Sequence, residues 1–251
     1  MEFSPTLVPG RLVLRRNRFV AEVSLDDGRL VEAHCPNTGA MHGCKAPGSR
    51  VWLSAATNPE RKLAWTWELV EPLEAPGVLV GLHTGRTNAL VREAIEAGRI
   101  AELTGYGAIR AEVPYGGDNG RGGKRSRIDL LLEAPDGSRP PCYVEVKNVT
   151  AIADPGPHSR GLGFFPDAVT ERGTKHLREL IDVAAAGQRA VLFFCVQRGD
   201  VNEVRPADHI DPLYGRTLRE AIAAGVEALA YAATITPDAL NLERRLAVVC
   251  P

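Results

Sequence analysis

The tightest constraint on this chain is a pair of short apolar runs, Ile128–Leu132 and Cys142–Lys147, held apart by Pro135, Asp136, Gly137 and Pro140. Two such runs around a Pro/Asp/Gly cluster predict a β-hairpin with a long loop. Side chains alternate faces along a strand, so Glu145 and Lys147 project together and Val144 and Val146 go to the other side. Asp129 is the one charge inside the first run, and facing residues of an antiparallel pair lie about 5 Å apart. A lone carboxylate among Ile and Leu is costly without a partner. Two acids and a lysine are therefore expected on one patch.

Two hard oxygen ligands from neighbouring strands suit Mg²⁺ or Mn²⁺, a cation that keeps several waters and takes one or two carboxylates plus substrate phosphate. Asp129 and Glu145 are the candidate ligands. Lys147 beside them can orient and help deprotonate a water attacking a phosphodiester. The same short pattern also fits a surface ion pair, so the rest of the chain has to decide.

Several stretches do. Met1–Pro5, His34–Met41, Arg127-Ile128-Asp129, Tyr143–Lys147 and Phe165–Gly173 with Lys175–Leu180 resemble the sugar fermentation stimulation protein A family, and Asp129 with Glu145-Val146-Lys147 is the PD-(D/E)xK nuclease pattern. The resemblance runs nearly end to end. It implies an OB-fold barrel over residues 1–84 and a PD-(D/E)xK-like α/β domain over 85–251. It also implies a protein that binds DNA without sequence preference, and the alternative of a non-catalytic regulator of maltose metabolism. In nucleases of this kind the first helix of the second domain often adds an acid, here Glu93, with Glu96 nearly one turn on. The same likeness sets the block carrying Arg172, Lys175 and Arg178 beside the substrate strand; spaced by three, they fall on one helix face.

Read for periodicity alone, residues 11–83 carry β signals: Val20–Leu25 and Leu30–His34 around the turn Asp26-Asp27-Gly28-Arg29, then Val51–Ala55, Ala64–Val70 and Val78–His83. About five strands without a helix suggest a small barrel. Trp65 and Trp67 share one strand face and are candidates for stacking on bases, with Arg16 supplying charge; the same tryptophans could equally fill the barrel core. Thr87–Gly98 turns helical, with Asn88 as N-cap and Gly98 closing it. After a strand at Ala111–Tyr115 comes a Gly-rich stretch carrying Arg121, Lys124 and Arg125, followed by Arg127; Arg125 and Arg127 are candidates for following a phosphate backbone. That stretch has Asp118 and Arg125 where a Walker phosphate loop needs Gly and Ser or Thr, so no nucleotide-triphosphate site is expected. Helices are predicted over Thr170–Ala186 and Pro212–Ala224, and strands over Ala190–Val196, Glu227–Ile235 and Leu240–Val249. His176 could contact phosphate or pack in the core.

Net charge is −1 and charged residues make up 24%, so any nucleic-acid contact, DNA or RNA, must come from local cationic patches rather than the overall field. Five cysteines without a C-x-x-C pair do not suggest a disulfide framework, and Cys142 and Cys195 sit in apolar runs as small hydrophobes. His34, Cys35, His42 and Cys44 lack zinc-finger spacing. No run is apolar enough to span a membrane, and without a signal-like N-terminus the expected location is the cytoplasm.

Overall fold

The computed structural model describes residues 1–58, 60–116, 126–153 and 161–251. The first sheet holds β1 (Val8–Arg16), β2 (Val20–Leu25), β3 (Leu30–His34), β4 (Arg50–Ala55), β5 (Trp65–Glu71) and β6 (Val80–Gly81). Their order is β3-β2-β1-β4-β5-β6, and β3 pairs back onto β5, which closes the sheet into a barrel. Leu12, Val23, Leu53, Trp67 and Val70 fill it. The β2–β3 turn forms as its residues require: Gly28 takes a positive φ of 88°, and the Asp27 carboxylate accepts the Arg29 N–H at 3.0 Å. Only two residues of Val78–His83 join the sheet.

Leu82 leads into α1 (Thr87–Glu96), followed by β7 (Ala108–Tyr115), β8 (Ser126–Glu133), β9 (Cys142–Val149), β10 (Leu162–Phe165), α2 (Glu171–Ala185), β11 (Arg189–Val196), β12 (Glu203–Pro206), α3 (Pro212–Ala223), β13 (Glu227–Ile235) and β14 (Leu240–Val248). The eight strands form one mixed sheet in the order β10-β12-β14-β13-β11-β9-β8-β7. β9, β11 and β13 are parallel at its centre, where Val191–Val196 are all buried, the pattern of a strand covered on both faces. α1 packs on one face over Val144, Val146 and Phe193. On the other, Leu177, Leu180, Tyr214 and Leu218 from α2 and α3 cover Leu192, Phe194 and Val196. The architecture is thus a barrel followed by an α/β sheet domain, as expected.

Residues 1–7, expected within the barrel unit, lie instead against the second sheet. Phe3 and Leu7 pack with Leu90 and Leu240, and the Phe3 N–H reaches the Asp238 carbonyl at 2.8 Å. The barrel is fastened to α1 by Glu68, a carboxylate only 2% exposed. Its Oε1 accepts from Ser54 Oγ at 2.7 Å and Arg86 Nη2 at 2.9 Å, and its Oε2 accepts from Arg86 Nε at 3.0 Å.

The starts of α2 and α3 share one residue. Thr170 caps α2 by accepting the Gly173 N–H at 3.0 Å. The Thr170 N–H is in turn held by Asp211 Oδ2 at 2.9 Å, while Asp211 Oδ1 caps α3 through the Tyr214 N–H at 3.0 Å. A Cβ at Gly173 would press on Thr170 and Tyr214 at 2.7 and 3.1 Å, which accounts for glycine in the first turn of α2. Among the described residues no helix is long and apolar enough to cross a membrane.

Candidate active site

β8 and β9 pair from Leu132↔Cys142 to Leu130↔Val144. Past that point β8 runs on with β7 and β9 with β11, so the two strands fork. Asp129 stands in the fork. Its Oδ2 accepts the Val146 N–H at 2.7 Å and its Oδ1 takes Asn88 Nδ2 at 2.9 Å, so a side chain fills the place where a ladder hydrogen bond would continue.

Glu145 faces α2, as alternation requires, and is 2% exposed. Its Oε1 is held twice, by Lys147 Nζ at 2.7 Å and by His176 Nδ1. Its Oε2 is buried with no hydrogen-bond partner. Arg172 Nε donates to His176 Nε2 at 3.3 Å, which makes Nε2 the acceptor and leaves Nδ1 to carry the proton toward Glu145.

The two acids titrate in opposite directions. Burial first, then the Glu145 charge, pushes the Asp129 carboxyl above its ordinary value against the pull of the Val146 and Asn88 hydrogen bonds. Burial also disfavours the Glu145 charge, but the His176 hydrogen bond and the Lys147 charge prevail and hold that carboxyl below its ordinary value.

This donor set fits a hard dication. A cation between the acids would satisfy the orphaned Glu145 oxygen and relieve the repulsion felt by Asp129. Among the described residues no three His, Cys, Asp or Glu side chains converge on one point. Among the described residues the candidate ligands are the two carboxylates, a set that would leave room for water and substrate oxygens.

A groove of about 680 Å³ opens beside His176, lined by Glu112, Ser126, Arg127, Arg172 and Lys175. Glu179 braces its floor, accepting from Ser126 Oγ at 2.7 Å and Tyr115 OH at 3.3 Å. Three cations and two acids, Glu112 and Glu171, thus line the groove beside His176. Arg178 is exposed on α2 but outside the groove lining, and Arg125 lies outside the described residues.

Other expectations need correction. Glu93 does not approach Asp129; it accepts from the Met1 amine at 2.7 Å and Arg99 Nη2 at 2.9 Å. Helix geometry explains this, since five residues put Glu93 roughly 140° around α1 from Asn88, which is the residue facing the fork. Asn88 is accordingly not the N-cap, a position held by Arg86. Trp67 is fully buried, with its indole N–H on the Leu69 carbonyl at 2.9 Å, so it fills the barrel rather than offering a stacking face. Trp65 is half-buried against the same core. Arg16 is engaged by Glu22 and Glu32. For His176 the sequence leaves phosphate contact and core packing both open. Its signal was a polar residue in the buried stripe Gly173, His176, Leu177, Leu180.

Comparison with known proteins fits this geometry. The family model for the sugar fermentation stimulation protein RE domain matches residues 85–239, and that for the SfsA N-terminal OB domain matches residues 13–82. The chain belongs to the sugar fermentation stimulation protein family. A homolog from Geobacter metallireducens is 56% identical over 249 residues, covering 99% of this chain and 100% of the relative. One from Thioalkalivibrio sulfidiphilus is 56% identical over 248 residues, covering 99% and 98%. Among solved structures, the Pyrococcus furiosus SfsA in complex with Ca²⁺ superposes with a TM-score of 0.81 at 27% identity, covering 99% of this chain and 98% of that one. The barrel is the family's OB domain, an architecture consistent with nucleic-acid binding.

Proposed function

We infer that this chain is a divalent-metal-dependent nuclease that binds DNA or RNA without reading sequence. The observation that carries this reading is the half-satisfied Glu145 carboxylate: buried, fixed through one oxygen by Lys147 and His176, and without a partner at the other. The Ca²⁺ in the Pyrococcus furiosus relative supports a dication here, with Mg²⁺ or Mn²⁺ as the working ion. Asp129 and Glu145 would hold it. When bound, such an ion supplies charge neutralisation at the phosphate and a more acidic water.

The remaining work falls to the chain. Lys147 is 12% exposed on its side chain and donates to Glu145 as an ammonium, from where it can orient the attacking water and stabilise the hydroxide formed when that water gives its proton to solvent. His176 keeps Glu145 in one rotamer, and Arg172 keeps His176 in one tautomer. Arg127, Arg172 and Lys175 hold the phosphate backbone in the groove. Affinity drawn from contacts to the phosphate backbone falls with salt.

The test is cleavage of DNA and RNA with Mn²⁺ or Mg²⁺ and with EDTA. Metal-dependent cleavage that Asp129→Ala and Lys147→Ala abolish, with an unchanged circular dichroism spectrum, is the expected result. Equal cleavage by those variants rejects the site. Metal-independent binding with no cleavage of either polymer leaves a binding protein.

A further inference from the structure

A second concavity lies at the end of β9, where Asn148 lines it. It encloses about 280 Å³ between the barrel and the sheet, beyond the carboxyl ends of the parallel strands β9 and β11, where open α/β sheets place their ligands. Its walls are Asn37 and Thr38 from the barrel, and Thr150, Phe164, Phe165 and Asp167 from the sheet domain. Asn37 is 4% and Thr150 6% exposed, so polar side chains are built into the wall rather than left on a surface.

The barrel side is held rigidly. Arg15 Nη2 donates to the Asn37 carbonyl at 2.8 Å and its guanidinium reaches the Gly39 carbonyl at 3.3 Å. Thr84 Oγ1 donates to the Pro36 carbonyl at 2.7 Å, and the Ala40 N–H donates to Asp167 Oδ2 at 2.9 Å. A Cβ on Gly39 would collide with the Asp167 carboxylate, so glycine there permits the close approach of the two units.

This cleft is tied to the fork. Gln197 Nε2 donates to Asn148 Oδ1 at 2.6 Å and to Thr87 Oγ1 at 3.1 Å, and Thr87 precedes Asn88, which holds Asp129. Asn148 lines the cleft and directly follows Lys147. Neighbouring strand residues face opposite ways, so Lys147 turns toward Glu145 while Asn148 turns to the cleft, and a chain crossing β9 can meet both. The two sides differ in chemistry. Among the described residues no lysine or arginine lines the cleft. That described lining, an acid with no cation, disfavours phosphate, whereas its aromatic rings, two amide side chains, three threonine hydroxyls and carboxylate suit a nucleoside. At about 280 Å³ it sits below the drug-sized range of about 300–1,000 Å³, room for one base and its sugar.

We propose that the cleft between barrel and sheet receives a single unpaired nucleoside flanking the scissile phosphate, so that the substrate is single-stranded or frayed nucleic acid. The proposal rests on the nuclease reading for its phosphate but is tested by binding alone. A base held in its duplex partner cannot enter, and stacking on an aromatic face contributes about 1–3 kcal/mol per base.

Fluorescence anisotropy of the full chain in EDTA, with a short fluorescein-labelled single strand and its blunt duplex, measures the preference. The single strand should bind about tenfold more tightly, the span one stacked base supplies. Thr38→Trp, which fills the rim of the cleft, and Phe165→Leu, which removes an aromatic wall, should each bring that ratio toward one, with melting curves confirming folded protein. Equal affinity for both strands, or a ratio untouched in a folded variant of either kind, overturns the proposal. Preference for single strands without cleavage in Mn²⁺ sustains the cleft and removes the nuclease. Cleavage without strand preference does the reverse.

Discussion

Two glutamates in this molecule are equally hidden and differ in kind. Glu68, at the joint between barrel and α1, and Glu145, at the fork of β8 and β9, are each 2% exposed. Glu68 has donors on both oxygens, from Ser54 and a forked Arg86. Glu145 has two donors crowded on one oxygen and none on the other. A buried carboxylate that is fully satisfied is a fastener. One held firmly through a single oxygen and left partnerless at the other is what the proposed ligand role calls for, because a buried polar atom without a partner is rare unless it serves a use.

The sharpest way to break this contrast is activity. Glu145→Gln should lower metal-dependent cleavage by about 10²–10⁴-fold, the range for losing an acid–base or charge-stabilising group. Glu68→Gln should leave the initial rate within about twofold, since it touches nothing at the fork. Comparable losses in both would erase the distinction.

Stability should level the ranking. Glu68→Ala strands Arg86, whose side chain is 29% exposed, and should cost about 3 kcal/mol, the low end for breaking a buried pair. Chemical denaturation in EDTA reads this. Glu145→Ala strands Lys147 and His176, a loss offset in part by removing the charge that opposes Asp129, and should cost a similar amount.

Metal sharpens the comparison next. A hundredfold excess of Mn²⁺ over its Kd should stabilise the wild type by about 2.7 kcal/mol, raising Tm by about 2–4 °C per kcal/mol. Asp129→Asn should abolish that rise. Without metal the Asp129 carboxyl sits above its ordinary value. Its contribution is therefore fully present below the unfolded pKa and is lost as pH rises through the folded one. In EDTA, the stability of wild type relative to Asp129→Asn should fall over that interval, which a Tm series against pH detects.

The smallest effects concern salt. Lys175→Ala should reduce the slope of log Kobs against log salt by about 0.7–0.9, one phosphate contact. Arg16→Ala, already occupied by Glu22 and Glu32, should leave the slope alone.

How far the residues foretold this arrangement varies by element. β2 and β3 were legible to their ends because Asp26–Arg29 combines turn chemistry with alternating flanks. β1 was not: its Pro9 and Gly10 break the strand pattern. Gly10 is there because a Cβ would meet the Ser24 carbonyl at 2.7 Å, a constraint from the neighbouring strand. β10 and β12 are short, and their pairing is set by the sheet rather than by local preference. Asp129, Glu145 and Lys147 could be brought together from strand alternation alone. Asn88 and His176 could not, because an Asn near a helix start reads as a cap and a His in an apolar stripe as core. Only the packing of α1 and α2 on opposite faces shows each turned to an acid.

Asp211, 4% exposed, grips the first residues of both α2 and α3. Its loss would slacken the helix that carries Arg172 and His176. A random-mutation screen for inactive protein should therefore return Asp211 among its hits, and a survey that equates lost activity with substrate contact would misfile it.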